Sequence, residues 1–450
     1  MRDFSRRDVL KWSAASLLGA PLLNGCAGRR PLNVLFITID DLNNWVGCLG
    51  GHPQARTPNI DRLADRGTLF SRAYCPAPIC YPSRTSVLTG LMPTRTGIFT
   101  NKSPLLREML PDVVTLPQHF MANGYRVLAG GKVFHAPDDA SWHQRFQPVP
   151  EDAYAARTDD RFGWKEWSMT NFGPLRISDN KMWDGQLVRW AIRQLQKEHA
   201  SPFFLAPGFF QPHLPNFVPR KYFRPFPFEK VTMPRVFNRD LSDVPRFAKN
   251  RRMGRLYGHI VGGGQWRQAV ASYLAAIHFV DAMVGRLLDA LDESPYADST
   301  AVVLSSDHGF MLGEKRHWGK YLLWEQATQV PFIVSVPGVT KPGGRCEQPV
   351  TTIHIYPTLA ELCGLPAREG LDGRSLVPLL RDPGATWELP AVTTTDGPSH
   401  AVRTERWRYI RYADGTEELY DHDEDPLEWR NLAGRPEHAQ LKEDLARWMT

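Results

Sequence analysis

Apolar runs that break off at charged residues punctuate the first three quarters of the chain. Asn33 to Ile39 is a continuous apolar stretch rich in β-branched residues, the pattern of a strand buried on both faces, and it stops at Asp40-Asp41. Tyr125 to Ala129 repeats the pattern and ends in Gly130-Gly131-Lys132-Val133-Phe134-His135. Phe203 to Gly208 runs into Gln211-Pro212-His213-Leu214-Pro215, Ala301 to Ser306 gives way to Asp307-His308-Gly309, and Pro331 to Val336 forms a further run. Between them the period changes to that of helices. Thr57-Pro58-Asn59 opens one with Ile60, Leu63 and Ala64 on one side and Gly67 behind it. Gln265 to Leu291 places Leu274, Ile277, Val284, Leu287, Leu288 and Leu291 along one face, where His278 and Asp281 read as packing and capping partners. Pro82 suits a first helical turn and Gly90 a helix stop, so Ser83 to Leu88 reads as a short helix with Cys80 at or just before its N-terminus.

Strands alternating with helices predict an α/β fold: a large, doubly wound, mostly parallel sheet flanked by helices. In such sheets ligands bind beyond the carboxyl ends of the strands. Four of the runs hand over there to Asp40-Asp41, to Lys132 and His135, to His213, and to Asp307-His308, so one pocket is predicted to collect them. The Pro- and Arg-rich stretches Pro148 to Asn180 and Pro215 to Gly264 read as long loops, lids or substrate walls. After Tyr356-Pro357-Thr358 and a helix through Leu362, turn residues dominate as far as Gly384. From about Ala391 the chain reads as a small unit, with Ala401 to Tyr412 and Glu417 to Tyr420 as hairpin strands and a final helix from about Pro436. The predicted division is a catalytic domain over 32–385 and a smaller C-terminal α+β subdomain, carrying a short antiparallel sheet, over 386–450.

With 42% hydrophobic and 23% charged residues among 450, the chain is globular and long enough for one large core plus an appendage. Of the net charge of +6, two excess positives fall within the first 25 residues (Arg2, Arg6, Arg7 and Lys11 against Asp3 and Asp8). The remainder is a mild excess, compatible with polyanionic substrates, and no basic helix or aromatic-basic motif points to nucleic acid. Ser5-Arg6-Arg7-Asp8-Val9-Leu10-Lys11 precedes a weakly apolar run, Trp12 to Leu23, too short for a permanent membrane span, and resembles a twin-arginine export signal. Leu23-Asn24-Gly25-Cys26 resembles a bacterial lipobox in which Cys26 is acylated; the alternative is signal-peptidase cleavage and a soluble periplasmic enzyme. Residues 1–26 therefore predict the twin-arginine export machinery as a partner and the bacterial periplasm or cell envelope as the location, with a lipid anchor on Cys26 as the one membrane contact. The other five cysteines do not make a disulfide scaffold, and Cys48–Cys75 and Cys346–Cys363 pairings stay open.

At a helix start, the dipole and Arg84 would lower the pKa of the Cys80 thiol and make it reactive; a buried structural cysteine is the plainer reading. Two thiol chemistries fail on spacing. A cysteine-phosphatase loop needs an Arg where Ser86 stands, and a zinc knuckle needs a second close Cys pair that the chain lacks. Asp40, Asp41 and Asp307 converging at strand ends would repel one another unless a hard cation, Ca²⁺ or Mg²⁺, joined them; the alternative is that each caps the helix after its strand. Arg84, Lys132, His135, His213 and Lys320 would surround that cation. A metal with such neighbours describes a site for a tetrahedral oxyanion whose charge shifts during transfer, sulfate or phosphate.

Cys80-Tyr81-Pro82-Ser83-Arg84 followed by Leu88-Thr89-Gly90 resembles the sulfatase signature, and separated motifs recur in that family's order. These are Leu35-Phe36-Ile37-Thr38-Ile39-Asp40-Asp41, Thr57-Pro58-Asn59-Ile60-Asp61-Arg62-Leu63-Ala64, Gly131-Lys132-Val133-Phe134-His135, Pro212-His213-Leu214-Pro215, and Ser306-Asp307-His308-Gly309 with Leu312-Gly313-Glu314. Arg403 to Leu432 resembles the family's carboxyl-terminal subdomain. Gly-Lys-Val-Phe-His and Asp-His resemble the iduronate-2-sulfatase group, whereas Phe210-Gln211 stands where that group offers a His-Lys pair, and the chain is shorter at its carboxyl end.

The resemblance implies a sulfatase acting on O-sulfated carbohydrate, a polysaccharide or glycosaminoglycan-like chain such as one bearing iduronate 2-sulfate. It implies that a formylglycine-generating maturation enzyme oxidises Cys80 to formylglycine before export. Asp40, Asp41, Asp307 and His308 would hold Ca²⁺ together with the modified Cys80. One hydroxyl of the hydrated aldehyde would attack sulfur in line, with Arg84 orienting the hydrate and the carboxylates, and Lys132 and Lys320 neutralising the sulfuryl oxygens. His213 would protonate the leaving oxygen, and His135 would take the proton of the second hydroxyl so that sulfate is expelled and the aldehyde reforms. His317 and Trp318 are expected either to line the sugar pocket or to lie exposed, and Asn101 and Lys102 to reach substrate. Two other readings stand beside this one: a phosphonate monoester or phosphodiester hydrolase on the same scaffold, and an inactive glycan-binding lipoprotein with an unmodified thiol at Cys80.

Overall fold

The computed structural model describes residues 31–149, 171–249 and 251–449; the stretch expected to be an export signal and Cys26 lie outside them. One sheet of eight strands contains β1 (Asn33–Ile39), β2 (Thr68–Phe70), β3 (Arg126–Gly131), β4 (Gln144–Phe146), β5 (Phe203–Phe209), β6 (Thr300–Ser306), β7 (Phe332–Ser335) and β8 (Gly344–Cys346). Their order is β8-β2-β7-β6-β1-β5-β3-β4. β1 lies inside the sheet and pairs in parallel with β5 and β6, so that Val34 faces Phe204 on one side and Ala301 on the other. β7 runs antiparallel to both of its neighbours, β6 and β2, and the other described pairs are parallel.

The longer helices are α1 (Pro58–Arg66), α2 (Cys80–Thr89), α3 (Leu116–Ala122), α4 (Trp183–Leu195), α5 (Arg251–Gly262), α6 (Trp266–Asp292), α7 (Ile355–Leu362) and α8 (Ala439–Ala446). Successive strand residues point to opposite faces, so a strand apolar throughout feeds two cores. Leu35, Ile37 and Ile39 of β1 pack with α1, α4 and α6, and Val34 and Phe36 pack with α2, α3 and α7. This is the doubly wound arrangement that the apolar runs predict. The Asp281 carboxylate on α6 accepts hydrogen bonds from the Asn59 and Ile60 N–H groups at 3.0 and 2.8 Å and so caps α1, while His278 Nδ1 lies 3.1 Å from the Arg56 carbonyl.

The expected loop from Pro215 to Gly264 is not one loop. Asn216–Pro219 pairs in parallel with Phe172–Leu175, and α5 occupies its end, with Met253, Leu256, Tyr257 and Ile260 at helical spacing within an Arg- and Gly-rich composition that conceals them. The single strand expected from Ala401 to Tyr412 is also two. The C-terminal antiparallel sheet has four strands, β9 (Ala391–Thr395), β10 (Ser399–Arg403), β11 (Trp407–Arg411) and β12 (Glu417–Asp421), with Thr404 and Trp407 exchanging backbone and side-chain bonds across the turn. Cys48, Cys75, Cys80, Cys346 and Cys363 are all free thiols. Among the described residues no helix is long and apolar enough to cross a membrane.

Candidate active site

The adjacent ends of β1 and β6 bring Asp40-Asp41 against Asp307-His308. The Asp307 N–H donates to the Ile39 carbonyl at 3.2 Å, and the Asp41 N–H donates to Asp307 Oδ1 at 3.1 Å. Asp41 has φ 62°, a left-handed conformation that costs a non-glycine residue about 1–3 kcal/mol and persists only when its surroundings fix it. Tyr273 of α6 does so, donating its hydroxyl to the Asp41 carbonyl at 2.6 Å and accepting the Asn43 N–H at 3.0 Å. α2 enters from the other face with all ten residues buried and Cys80 in its first turn. Gly90 ends it in the left-handed conformation, φ 72°, and the Ser83 hydroxyl donates to the Asp307 carbonyl, which fastens the helix start to the end of β6.

Around the Cys80 sulfur stand Lys320 Nζ at 3.0 Å, His308 Nε2 at 3.3 Å and Lys132 Nζ at 3.8 Å. The His213 side chain belongs to the same cluster, and His135 also acts on the thiol, lowering its pKa. Lys320 reaches on to Asp41 Oδ1 at 2.6 Å, and Lys132 pairs with the Asp40 carboxylate. Arg84 holds the acids together: Nε donates to Asp307 Oδ2 at 2.9 Å, Nη2 lies 3.2 Å from Asp40 Oδ1, and Nη1 donates to the Lys132 and Val133 carbonyls. One buried guanidinium thus fixes the ends of three strands relative to α2.

Burial would raise the Cys80 thiol, but Lys320, Lys132 and His308 outweigh it and pull its pKa well below the ordinary value. Burial likewise works to raise Asp40, and Lys132 with His213 and Arg84 overrides it, so that carboxyl is held low. Asp307 goes the other way, pushed up to about 7 by burial against the pull of Arg84 and His308. On His213 burial is outweighed by the Asp41 and Asp40 carboxylates, which raise its pKa; its Nδ1 faces the Leu214 carbonyl and its Nε2 lies 4.0 Å from Asp41 Oδ2.

The donor chemistry fits a divalent cation. Side-chain atoms of Asp40, Asp41, Cys80 and His213, and of Asp40, Cys80, Asp307 and His308, lie within 4.8 Å of one another in two overlapping sets. His308 keeps Nε2 directed at the cluster while Nδ1 engages the Gly309 carbonyl at 2.9 Å, the orientation that suits a histidine ligand. Asp40 Oδ1 is buried and accepts no hydrogen bond, having only the Arg84 charge 3.2 Å away, and a further positive charge where the acids meet would relieve both it and Asp307.

A family profile described as Sulfatase matches residues 32–365, across every one of these side chains. The chain belongs to the sulfatase family. It is a sulfuric ester hydrolase. A second profile, described as N-sulphoglucosamine sulphohydrolase, C-terminal, matches residues 313–450. A sulfatase of Formosa agariphila is 40% identical over 420 residues, covering 89% of this chain and 83% of its own. Iduronate 2-sulfatase of Homo sapiens is 33% identical, covering 74% of this chain and 69% of its own. Among solved structures, the phosphonate monoester hydrolase of Silicibacter pomeroyi shares the fold, with a TM-score of 0.80 at 23% identity, over 93% of this chain and 94% of that one.

In this sulfatase two of the four expected substrate residues are core residues. Trp318 and His317 are each 1% exposed, so they neither line a sugar pocket nor lie on the surface. Trp318 packs edge-on against Phe310, and His317 Nδ1 turns back to the Lys315 carbonyl, because their segment folds into a short hairpin with Met311-Leu312. Asn101 accepts the Tyr81 N–H at 2.9 Å and so caps α2, while Lys102 is exposed. Conversely, Asp184, buried in the first turn of α4, accepts the Phe210 and Gln211 N–H groups at 2.7 and 2.9 Å and holds the segment that ends in His213. Its acidic position at a helix start was a visible signal; its partners, distant in sequence, were not.

Proposed function

We propose that this sulfatase hydrolyses O-sulfate esters of carbohydrate at position 80, after oxidation of Cys80 to formylglycine and with Ca²⁺ held by Asp40, Asp41, Asp307 and His308. The observation that carries the reading is the convergence of Lys320, Lys132 and His308 on the Cys80 side chain at the start of a buried helix, beside three carboxylates. When present, the cation supplies Lewis-acid polarisation and the oxidised side chain supplies a hydroxyl nucleophile. Lys132 and Lys320, on either side of residue 80, take up the charge on the sulfuryl oxygens. Arg84 keeps the carboxylates in place. His213, its pKa raised, carries a proton toward the leaving alcohol oxygen, and His135 beside residue 80 removes one from the hydroxyl there.

The iduronate 2-sulfatase relative supports a sulfated uronic-acid polymer, whereas Phe210, its ring 4.9 Å from that of His213, gives the leaving-group side an apolar wall. The reading includes twin-arginine export to the periplasm or cell envelope, with maturation in the cytoplasm beforehand, supported by Ser5 to Lys11. It also includes a catalytic domain over 32–385 and a C-terminal subdomain over 386–450. Parallel turnover of an aryl sulfate, an aryl phosphonate monoester and a panel of sulfated oligosaccharides tests it. Sulfate release from at least one sugar in preference to the phosphonate is expected; a phosphonate preference would replace the sulfatase reading by that of a phosphonate monoester hydrolase.

A further inference from the structure

Lys320 lies on no regular element. It follows the two-residue strand Trp318–Gly319 and precedes the short helix Glu325–Thr328. Three non-glycine residues around it adopt the left-handed conformation: Lys315 at φ 49°, Arg316 at 52° and Tyr321 at 75°. Such a path does not hold itself; something must over-determine it. Both ends of the segment are tied to one residue of the C-terminal unit, Glu428. Lys315 Nζ donates to the Glu428 backbone carbonyl and to Asp240 Oδ1 at 2.8 Å, and the Glu325 N–H donates to Glu428 Oε2 at 3.0 Å.

Arg408 of β11 completes the tie. It is 1% exposed and sits between two acids, with Nε 2.6 Å from Glu428 Oε1 and Nη2 on the Glu325 carboxylate, while Nη1 donates to the Leu323 carbonyl at 2.9 Å. Nearby, the Trp324 indole donates to Glu418 of β12 at 2.9 Å. Glu428 itself has φ 58° and is 2% exposed. Glu325, His422 and Glu428 lie close enough to suggest a second metal site, but Arg408 and Arg403 already neutralise these acids, so a cation would have to displace a guanidinium.

We propose that Glu428 is a positioning residue: through Lys315, Arg408 and Glu325 it fixes the segment that holds Lys320 Nζ against residue 80 and Asp41. The C-terminal sheet is then part of the catalytic apparatus, although it supplies no group that touches the reacting atoms. The proposal rests on the role given to Lys320 under the proposed function, and its test separates the two.

The test is a double-mutant cycle on the matured full-length enzyme with aryl sulfate, joined to hydrogen exchange of the same proteins. Glu428→Ala is expected to lower kcat about ten- to a hundredfold, the scale of an ångström-sized misplacement, with KM nearly unchanged. In the Lys320→Ala background the same change is expected to add little, because the group it positions has gone. Glu428→Gln, which keeps an acceptor for the Glu325 N–H, is expected to recover part of the rate. Exchange in Glu428→Ala, which keeps the backbone carbonyl that holds Lys315 and removes the carboxylate that holds Arg408 and the Glu325 N–H, is expected to quicken over residues 320–325 and stay unchanged in α6. Equal proportional losses in both backgrounds, or unchanged exchange over 320–325, would overturn the proposal. If the wild-type enzyme released no sulfate at all, the proposed function would fall, while the exchange measurement would still decide whether Glu428 holds the segment.

Discussion

The hydroxyl of Tyr273 donates a 2.6 Å hydrogen bond to the backbone carbonyl of Asp41, the residue whose left-handed turn aims a carboxylate at position 80. Tyr273→Phe keeps the ring stacked on Phe310 and removes only the oxygen, leaving the Asp41 carbonyl and the Asn43 N–H buried without that partner. The expected cost is about 1–3 kcal/mol, read as a lower urea midpoint at unchanged slope, together with a fall in kcat. Wild-type stability and rate in this variant would show that the turn is fixed by other contacts.

Removal of divalent cations is expected to lower the melting temperature and abolish turnover, and Ca²⁺ is expected to restore both. A ligand present at a hundred times its Kd stabilises the folded state by about 2.7 kcal/mol, enough to see in a thermal scan. Asp41→Asn, with its Oδ1 position still facing Lys320, is expected to need more Ca²⁺ for half-maximal stabilisation. A melting temperature indifferent to chelator and to Ca²⁺ would remove the cation from the account.

These two expectations rest on parts of the chain that differ in legibility. β1 and β6 announce themselves as unbroken apolar runs because both of their faces are buried, and the rule that ligands gather at strand ends then places Asp40, Asp41, Asp307 and His308 together. The α2 start is equally plain, since Pro82 and Gly90 punctuate it. Tyr273 and Asp184 were not legible as site residues, because one lies among apolar neighbours on a helix face and the other's partners stand far away in sequence. The three-residue strands β2, β4 and β8 are too short to show a period. Trp318, expected either in a sugar pocket or on the surface, lies in the core, because an aromatic side chain suits all three places and burial alone tells them apart.

His354 ties stability to pH away from the site. Burial, with the Arg374 charge second, pushes its pKa down to about 3, and its Nδ1 accepts the Arg374 N–H at 2.9 Å. The folded state therefore binds fewer protons than the unfolded state between pH 3 and 6.5. The contribution of His354 is complete above the unfolded value and lost as pH falls through this window. Urea midpoints are expected to drop from pH 7 to pH 5, and less steeply in His354→Asn, which keeps an acceptor near the Nδ1 position. A parallel drop in both proteins would assign the acid sensitivity to other groups.

Replacing Cys80 by serine tests why an aldehyde serves at this position. A serine hydroxyl beside Lys320 and Lys132 can still accept the sulfuryl group, but it carries no second hydroxyl from which His135 could remove a proton to expel sulfate. Incubation of Cys80→Ser with substrate is expected to release one equivalent of alcohol and leave a stable sulfate ester on the protein, detected by intact mass. Sustained turnover at the wild-type rate would contradict the mechanism.

The most direct test is the mass of the tryptic peptide running from Ala73 to Arg84, taken from protein produced together with a formylglycine-generating enzyme. An aldehyde is expected in place of the Cys80 thiol, in a fraction that tracks sulfate-ester turnover from one preparation to the next. Full turnover in a preparation whose peptide carries only the unmodified thiol would contradict it.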